Sequence, residues 1–483
     1  MSSSSVSTAS FEKTWETAGD AKSQIVAQLV LVWSMDEPTR LGESLSLNGP
    51  CFIGRGLELD DDPAPRTFPE RVRPNTRLRT GPIANARISR QQIRLTPISN
   101  ERVEVENVGK APMSINGVIT VAGVLVDGDV LEVQNAAIWL LRFAERDWSP
   151  STYPADFSFA QPDAFGLVGE SPAMWALRGT LAFAASTDRH VLLLGESGTG
   201  KELATRALHG LSARRALPLV SRNAATLPEG LIDAELFGNV KNYPNPGMAD
   251  RPGLIGEADG STLFLDEVGE LPEKSQVHLL RVLDRDGEYQ RLGETRVRHS
   301  RFRLVAATNR PVSALKHDFL ARFTHRIEVP SFDERREDVP LILEAMLRAV
   351  AAKTPEVARR FFATRHGVQA EPRLSPALIA RLMRHRFHHH GRELDRLMWL
   401  SVQTATGDFL GLTPALEAEL GAPIPPPVSV DISKLDAATL TRAMEAAGQS
   451  PTEAARQLGL KNRYVLLRLL KKHGISSGTE GNS

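Results

Sequence analysis

The rhythm of apolar and polar positions changes several times along the chain. Residues 1–22 are rich in Ser, Thr and charge without periodicity, which predicts an unstructured start. Short β-prone runs follow: Ile25–Trp33, Cys51–Ile53, Gln92–Thr96, Val103–Glu106, Val118–Val121, Val130–Val133 and Ala137–Phe143. Turn residues such as Asn116-Gly117 and Asp127-Gly128-Asp129 punctuate them, so residues 23–146 read as an all-β sandwich. A Pro- and Ser-containing linker is expected at 147–163. Over 164–330 apolar strands alternate with helical patterns, the mark of an α/β layer fold, and 331–418 read as entirely helical. A stiff Pro-rich linker, 419–431, leads to a compact all-α module at 432–476 and a loose tail at 477–483. No internal repeat stands out.

Composition narrows the function classes. At 483 residues the chain is too long for one core. Lys+Arg and Asp+Glu both number 58, so contact with nucleic acid must come from a local basic patch. The single cysteine, Cys51, excludes an intramolecular disulfide and suits a reducing compartment. The apolar runs are far shorter than the roughly 20 residues a membrane helix needs. Met1–Ser5 lacks the basic start and apolar core of a secretory signal. A soluble cytoplasmic protein with no membrane partner is the expectation.

The sharpest chemistry lies in the α/β segment. His190–Leu194 is a buried-strand run, and a helical pattern begins near Lys201. Between them stands Gly195-Glu196-Ser197-Gly198-Thr199-Gly200-Lys201, followed by Glu202 where many such loops carry a hydroxyl for magnesium. Backbone N–H groups and a helix N-terminus there cradle phosphates, with Lys201 reaching the outer ones. A second strand, Thr262–Leu265, ends in Asp266 and Glu267. Asp266 suits magnesium, and Glu267 suits orienting and deprotonating a water. A third, Phe302–Ala307, ends in Thr308-Asn309, with Asn309 either a γ-phosphate sensor or a plain turn residue.

With these strands in place, residues 164–400 resemble the AAA+ domain of bacterial enhancer-binding proteins, the sigma-54-dependent activators. The resemblance rests on Gly195–Glu202, Asn223, Glu235-Leu236-Phe237-Gly238, Leu263–Leu271, Glu334–Pro340 and Gly391-Arg392-Glu393-Leu394. It implies ATP and magnesium held between subunits of a homo-oligomer, from dimer to ring. It also implies Asn223 restraining Glu267, Arg392 reporting on the nucleotide and Arg322 reaching into the neighbouring site. The plainer reading of Arg392 is a surface helix cation.

Departures from the family pattern are specific. The slot of the GAFTGA loop, which presses on sigma-54, reads Asn242-Tyr243-Pro244-Asn245-Pro246-Gly247, and its prolines forbid the same shape. Lys316 replaces the first trans-acting arginine and loses the planar fork. Phe387-His388-His389-His390 replaces Trp-Pro-Gly-Asn, leaving displaced lid residues or a metal ligand set as readings. ATP binding needs one subunit only; hydrolysis is expected to be slowed where the neighbour's contribution is eroded.

The ends resemble two further modules. Ile53-Gly54-Arg55, Ile88-Ser89-Arg90 and Asn116-Gly117 resemble a forkhead-associated (FHA) domain, implying a phosphothreonine protein held by Arg55, Ser89, Arg90 and Asn116. Gln92 stands where that family has histidine, and Pro112-Met113 where it has Asn-Gly. The long loop from Leu57 to Asn85 carries Asp60-Asp61-Asp62 and a basic stretch, Arg71–Arg79. The alternative is a sandwich that only docks on its own AAA+ domain. At the C-terminus, Leu440–Ala447, Thr452–Leu458 after the cap Ser450-Pro451, the turn at Gly459, and Asn462–His473 form a helix-turn-helix pattern. Glu453–Gly459 resembles the Fis-type module of these activators. DNA at an upstream activator site is then read by Lys461, Asn462, Arg463, Tyr464, Arg468 and Lys471, unless this is simply a solvated basic face. Two functions stay open: a motor acting on sigma-54 RNA polymerase, and a nucleotide-controlled DNA-binding regulator that does not engage it.

Overall fold

The structure is a computed structural model describing residues 25–55, 67–145, 148, 150–284, 287–312, 315–363, 371–423 and 437–447. Beyond these it describes 451, 454–455, 458, 460, 463–473 and 475. Residues 1–22, Asp60–Asp62, 424–431, Ser450, Thr452, Gly459, Lys461, Asn462 and 477–483 lie outside the described residues.

The N-terminal strands are β1 (Ile25–Ser34), β2 (Ser44–Leu47), β3 (Cys51–Ile53), β4 (Glu70–Arg73), β5 (Thr76–Arg79) and β6 (Ile93–Ser99). They continue as β7 (Arg102–Asn107), β8 (Met113–Ile115), β9 (Val118–Thr120), β10 (Ala122–Leu125), β11 (Val130–Val133) and β12 (Ala137–Glu145). An eight-stranded sheet, β5-β4-β2-β1-β12-β11-β8-β9, faces a four-stranded one, β10-β7-β6-β3. Alternating residues fill the space between them: Ile93 and Leu95 from β6, Val103 and Val105 from β7, Trp139 and Leu141 from β12. The hairpin β4–β5 falls inside the long loop of the sequence reading. Its Arg71, Arg73, Arg77 and Arg79 carry no apolar alternation, which is why the pattern passes over it.

Strand β1 is buried on both faces after its first residue. Leu29 and Leu31 enter the sandwich core, and the register shifts between Leu31 and Trp33. A bulge at such a point re-aims side chains. Val32 and Trp33, with Val130, Ile138 and Leu140, join one apolar cluster with Phe332, Val339, Leu343, Leu378 and Leu382 of the helical segment. The Trp33 indole N–H donates to the Leu374 carbonyl at 2.9 Å.

The segment 150–163, within the expected linker, is packed. Tyr153 donates to Asp163 at 2.6 Å, and Phe157 stacks on Trp175 with ring centroids 6.0 Å apart. Its aromatic residues supply apolar area that a Pro- and Ser-rich composition masks.

Five parallel strands form the α/β sheet in the order Val220–Asn223, Thr262–Asp266, Arg303–Thr308, Val191–Leu194, His325–Glu328. The last is an edge strand that the apolar pattern does not announce. Their C-terminal ends bring Asn223, Asp266, Thr308 and Leu194 to one edge, where open parallel sheets bind ligands. Helices Val339–Ala351, Pro355–Phe361, Pro376–Met383, His390–Thr404 and Pro414–Leu420 follow. This lid is not entirely helical, because Phe362–Ala363 pairs with Glu371–Pro372. Farther on, helices Ala437–Ala446 and Arg463–Lys472 share a small core of Leu440, Met444, Ala454, Leu466 and Leu470.

His190, at the foot of the sheet, ties fold to pH. Its Nδ1 accepts the Leu304 N–H at 3.0 Å, so protonating that nitrogen breaks the bond. Burial, reinforced by the Arg303 guanidinium, pushes its pKa from 6.5 down to about 4. The folded state therefore binds fewer protons than the unfolded one. The stabilisation is complete above pH 6.5 and is lost as pH falls toward 4, about 3 kcal/mol in all. His190→Asn is expected to flatten the acid limb of a urea-unfolding series between those pH values.

Candidate functional site

The helix Lys201–Leu211 begins at the lysine, and the loop before it is held from three sides. Lys201 is buried, and its Nζ donates to the carbonyls of Gly195 (2.8 Å) and Glu196 (3.0 Å). Burial lowers its pKa, against the opposing pull of Glu267 and Asp266. Within the loop, Thr199 Oγ1 donates to the Glu196 carbonyl at 2.9 Å. From outside, the Arg335 guanidinium donates to the Thr199 carbonyl at 2.8 Å.

The third side is the lid. Arg392 donates to Ser197 Oγ at 2.8 Å, and the Gly391 N–H donates to the Gly198 carbonyl at 3.0 Å. Gly198 has φ +84°, and a Cβ there would collide with the His389 carbonyl, so only glycine fits. His390 is buried, and its Nε2 lies 3.0 Å from the Glu196 carboxylate. Its Nδ1 accepts the Phe332 N–H at 3.3 Å. That acceptor role places the ring proton on Nε2, which donates to Glu196. The pattern marked the His run, but neither reading of it anticipated the bond to the phosphate loop. Glu393 accepts His385 Nε2 at 2.8 Å and the N–H groups of His388 (2.7 Å) and His389 (2.9 Å). Burial opposes the charge on Glu393, yet these donors together hold its pKa below the usual carboxylate range. Among the described residues no three His, Cys, Asp or Glu side chains cluster to hold a metal ion.

Asp266 lies in register with Asn223 on the neighbouring strand. Glu267 has a left-handed φ of 51°, an uncommon conformation for a side-chain-bearing residue. Its N–H donates to Asp266 Oδ1 at 3.0 Å, and its carboxylate accepts the Asn309 N–H at 3.2 Å. Asn223 Oδ1 accepts the Ala225 N–H at 2.9 Å, capping the turn that follows its strand, while the Asn309 N–H is donated to Glu267. Glu202 pairs with Arg206 at 2.6 Å on the exposed helix face. Arg322 is exposed just beyond the helix His317–Leu320, and Lys316 pairs with Glu273 at 3.1 Å.

The loop Asn242–Gly247 closes on itself. Asn242 donates from its backbone to Met248 at 2.8 Å and accepts the Gly247 N–H on Oδ1 at 3.0 Å. Tyr243 is 45% exposed at its tip.

On the β domain, Arg55 and Ser89 are brought together: the Arg55 N–H donates to the Ser89 carbonyl at 3.1 Å. Ser89 Oγ accepts the Lys110 N–H at 3.0 Å, and Arg90 is exposed alongside. Gln92 is fully buried and accepts the Ser89 N–H at 2.9 Å while donating to Asn107 at 2.8 Å. Asn116 makes its own contacts. It has φ 52° in the β8–β9 turn, bonds Asp129 and Val130, and its carbonyl accepts Arg384 of the lid at 2.6 Å. At the C-terminus, Arg463, Tyr464, Arg468 and Lys471 share one helix, with Arg468 exposed. No helix among the described residues is long and apolar enough to cross a membrane.

Residues 167–332 match the family described as Sigma-54 interaction domain. The chain is 36% identical over 315 residues to the transcriptional regulatory protein ZraR of Escherichia coli K12, covering 63% of this chain and 68% of that one. The nitric oxide reductase transcription regulator NorR2 of Cupriavidus necator is 36% identical over 357 residues, covering 66% of each. Among solved structures, NtrX from Brucella abortus in complex with ADP is 29% identical, covering 65% of this chain and 70% of that one, with a TM-score of 0.46. Sharing 36% identity with a relative across 68% of its length, through the segment that carries the phosphate loop, the chain belongs to the sigma-54-dependent AAA+ transcriptional regulators.

Proposed function

We propose that this chain is a DNA-binding transcription regulator that binds ATP at Gly195–Lys201 and hydrolyses it between subunits of an oligomer. The observation that carries the reading is the buried Lys201 ammonium, held by loop carbonyls and electrostatically coupled to Asp266 and Glu267. An ammonium, a glycine loop and two carboxylates at one sheet edge fit a magnesium–triphosphate, with Asp266 the residue to hold the ion. Magnesium there would neutralise developing phosphate charge. Glu267 accepts the proton of the attacking water, Asn309 steadies Glu267, and Arg392 with His390 brings the lid onto the loop. Arg322, from a neighbouring subunit, completes the charge around the transferred phosphoryl group.

Signal input is proposed at Arg55, Ser89 and Arg90, where a guanidinium and a hydroxyl on adjoining loops suit a phosphothreonine protein in an FHA-type sandwich. DNA output is proposed through the C-terminal helix pair as a Fis-type helix-turn-helix, with Arg468 on its exposed face.

A second reading has its own observation. The loop Asn242–Gly247, closed by internal hydrogen bonds, replaces the Phe-Thr contact for sigma-54, and this favours a regulator that acts on DNA without remodelling polymerase. Promoter opening by sigma-54 holoenzyme, followed by permanganate reactivity, separates the two. ATP-dependent opening that disappears in Lys201→Ala establishes the motor. Failure to open with ATP at every phosphopeptide concentration transfers the assignment to the second reading.

A further inference from the structure

We propose that Arg335 is a positioning residue for the phosphate loop, and that Arg73 of the β-sandwich sets it through Glu170 and Asp338. The inference rests on the reading that Gly195–Lys201 binds phosphates.

The peptide between Thr199 and Gly200 carries it. In a trans peptide the C=O and N–H point in opposite directions. Arg335 draws the Thr199 carbonyl toward itself at 2.8 Å, so the Gly200 N–H is turned the other way, at the residue before Lys201. Consecutive N–H groups at that position are what a phosphate oxygen uses. The orientation of one guanidinium thus determines whether a donor faces the ligand.

That guanidinium is itself held under strain of charge. Arg335 is 5% exposed, lies 5.4 Å from the Phe332 ring centroid, and has an Nε without a hydrogen-bond partner among the described residues. Burial pushes its pKa down to about 10, while Asp338 pulls the other way. Asp338 is tied to Arg335 through the backbone, its N–H donating to the Arg335 carbonyl at 2.9 Å, and its carboxylate is pinned from elsewhere. Its carboxylate accepts the N–H groups of Glu170 (2.8 Å) and Ser171 (3.0 Å) and the Ser171 hydroxyl (2.5 Å). Gly169 makes room for it, since a Cβ there would collide with the carboxylate.

The position of Glu170 is set by the β domain. Arg73, in β4, grips the Glu170 carboxylate with two bonds, Nε at 3.0 Å and a terminal nitrogen at 2.6 Å. The same guanidinium lies 4.3 Å from the Phe157 ring, and Trp175 donates to Glu170 at 3.0 Å. The Arg335 guanidinium also donates to the Val168 carbonyl at 3.4 Å and to the Met174 sulfur at 2.7 Å. Both lie in the segment that Glu170 and Ser171 anchor on Asp338. Contacts therefore run from a strand of the sandwich to the phosphate loop through backbone as well as buried side chains. No step in it depends on phosphothreonine binding.

The test uses the full-length protein, magnesium and a fluorescent ADP analogue, with affinity read by titration and nucleotide-free melting read separately. Arg73→Ala is expected to weaken binding roughly fivefold or more, the scale of coupling between distant sites. The double variant Arg73→Ala/Glu170→Gln is expected to bind no more weakly than Arg73→Ala, because both act on one path. Arg335→Lys, which keeps a buried cation but not the fork, is expected to lose affinity as well. Wild-type affinity in Arg73→Ala and Arg335→Lys, with binding abolished in Lys201→Ala, overturns the proposal alone. So does a lowered melting temperature with unchanged affinity, or losses in the double variant that simply multiply. Undiminished binding in Lys201→Ala sinks the underlying reading of the loop instead.

Discussion

Glu267→Gln is expected to lower ATP turnover by about 10²–10⁴-fold, the range for removing a general base. Nucleotide affinity should stay within about threefold, because the amide keeps the shape and can still accept the Asn309 N–H. Glu267 holds a left-handed backbone, and its carboxylate opposes the lowering of the buried Lys201 pKa. Strain of this kind persists only where surrounding contacts hold it, here the bonds to Asp266 and Asn309. Steady-state phosphate release and equilibrium titration on the same protein check the split. Equal turnover in variant and wild type would remove Glu267 from the chemistry. A parallel loss of affinity would make it a binding group.

The largest effect on stability is expected from Trp33→Ala. The indole is 4% exposed and sits at the seam where the β-sandwich and the lid share one apolar cluster. Truncating a buried aromatic residue costs about 3–5 kcal/mol. The Leu374 carbonyl also loses its donor, which adds about 1 kcal/mol where no water replaces it. Calorimetry should show a single transition splitting in two, as the sandwich and the remainder unfold separately. Trp139→Phe in the sandwich core is the control, lowering stability without splitting the transition. A Trp33→Ala protein that melts in one step at the wild-type temperature would mean the seam does not bind the units together.

Legibility in the sequence followed the range of each interaction. The phosphate loop could be read because strand, glycines and lysine act within a dozen residues, through their own backbone. The alternation in β6 and β7 was equally plain, since one face meets the core and the other meets water. The run Ile25–Trp33, apolar except for a buried Gln28, carried a signal that went unused. In an antiparallel sheet, a strand with no polar face implies a partner on both sides, and the lid is that partner. Asn116 stands in the turn that an Asn-Gly pair favours, and the tertiary fold set that turn against Arg384.

By itself the sequence determined the order of a β segment, an α/β layer and a helical segment, and singled out a glycine loop of the kind suited to phosphates. These follow from local periodicity and backbone chemistry, which need no distant partner. The tertiary structure decided that the Asn309 N–H meets the Glu267 carboxylate, and that His390 and Arg392 bond the loop from the helical segment. It also decided that the sandwich is joined to the α/β and helical segments through Trp33 and Arg73. The last of these joins residues more than 90 positions apart, and the Trp33 bond spans 341. Such pairings depend on which surfaces meet when separate cores pack, and no spacing along the chain encodes that.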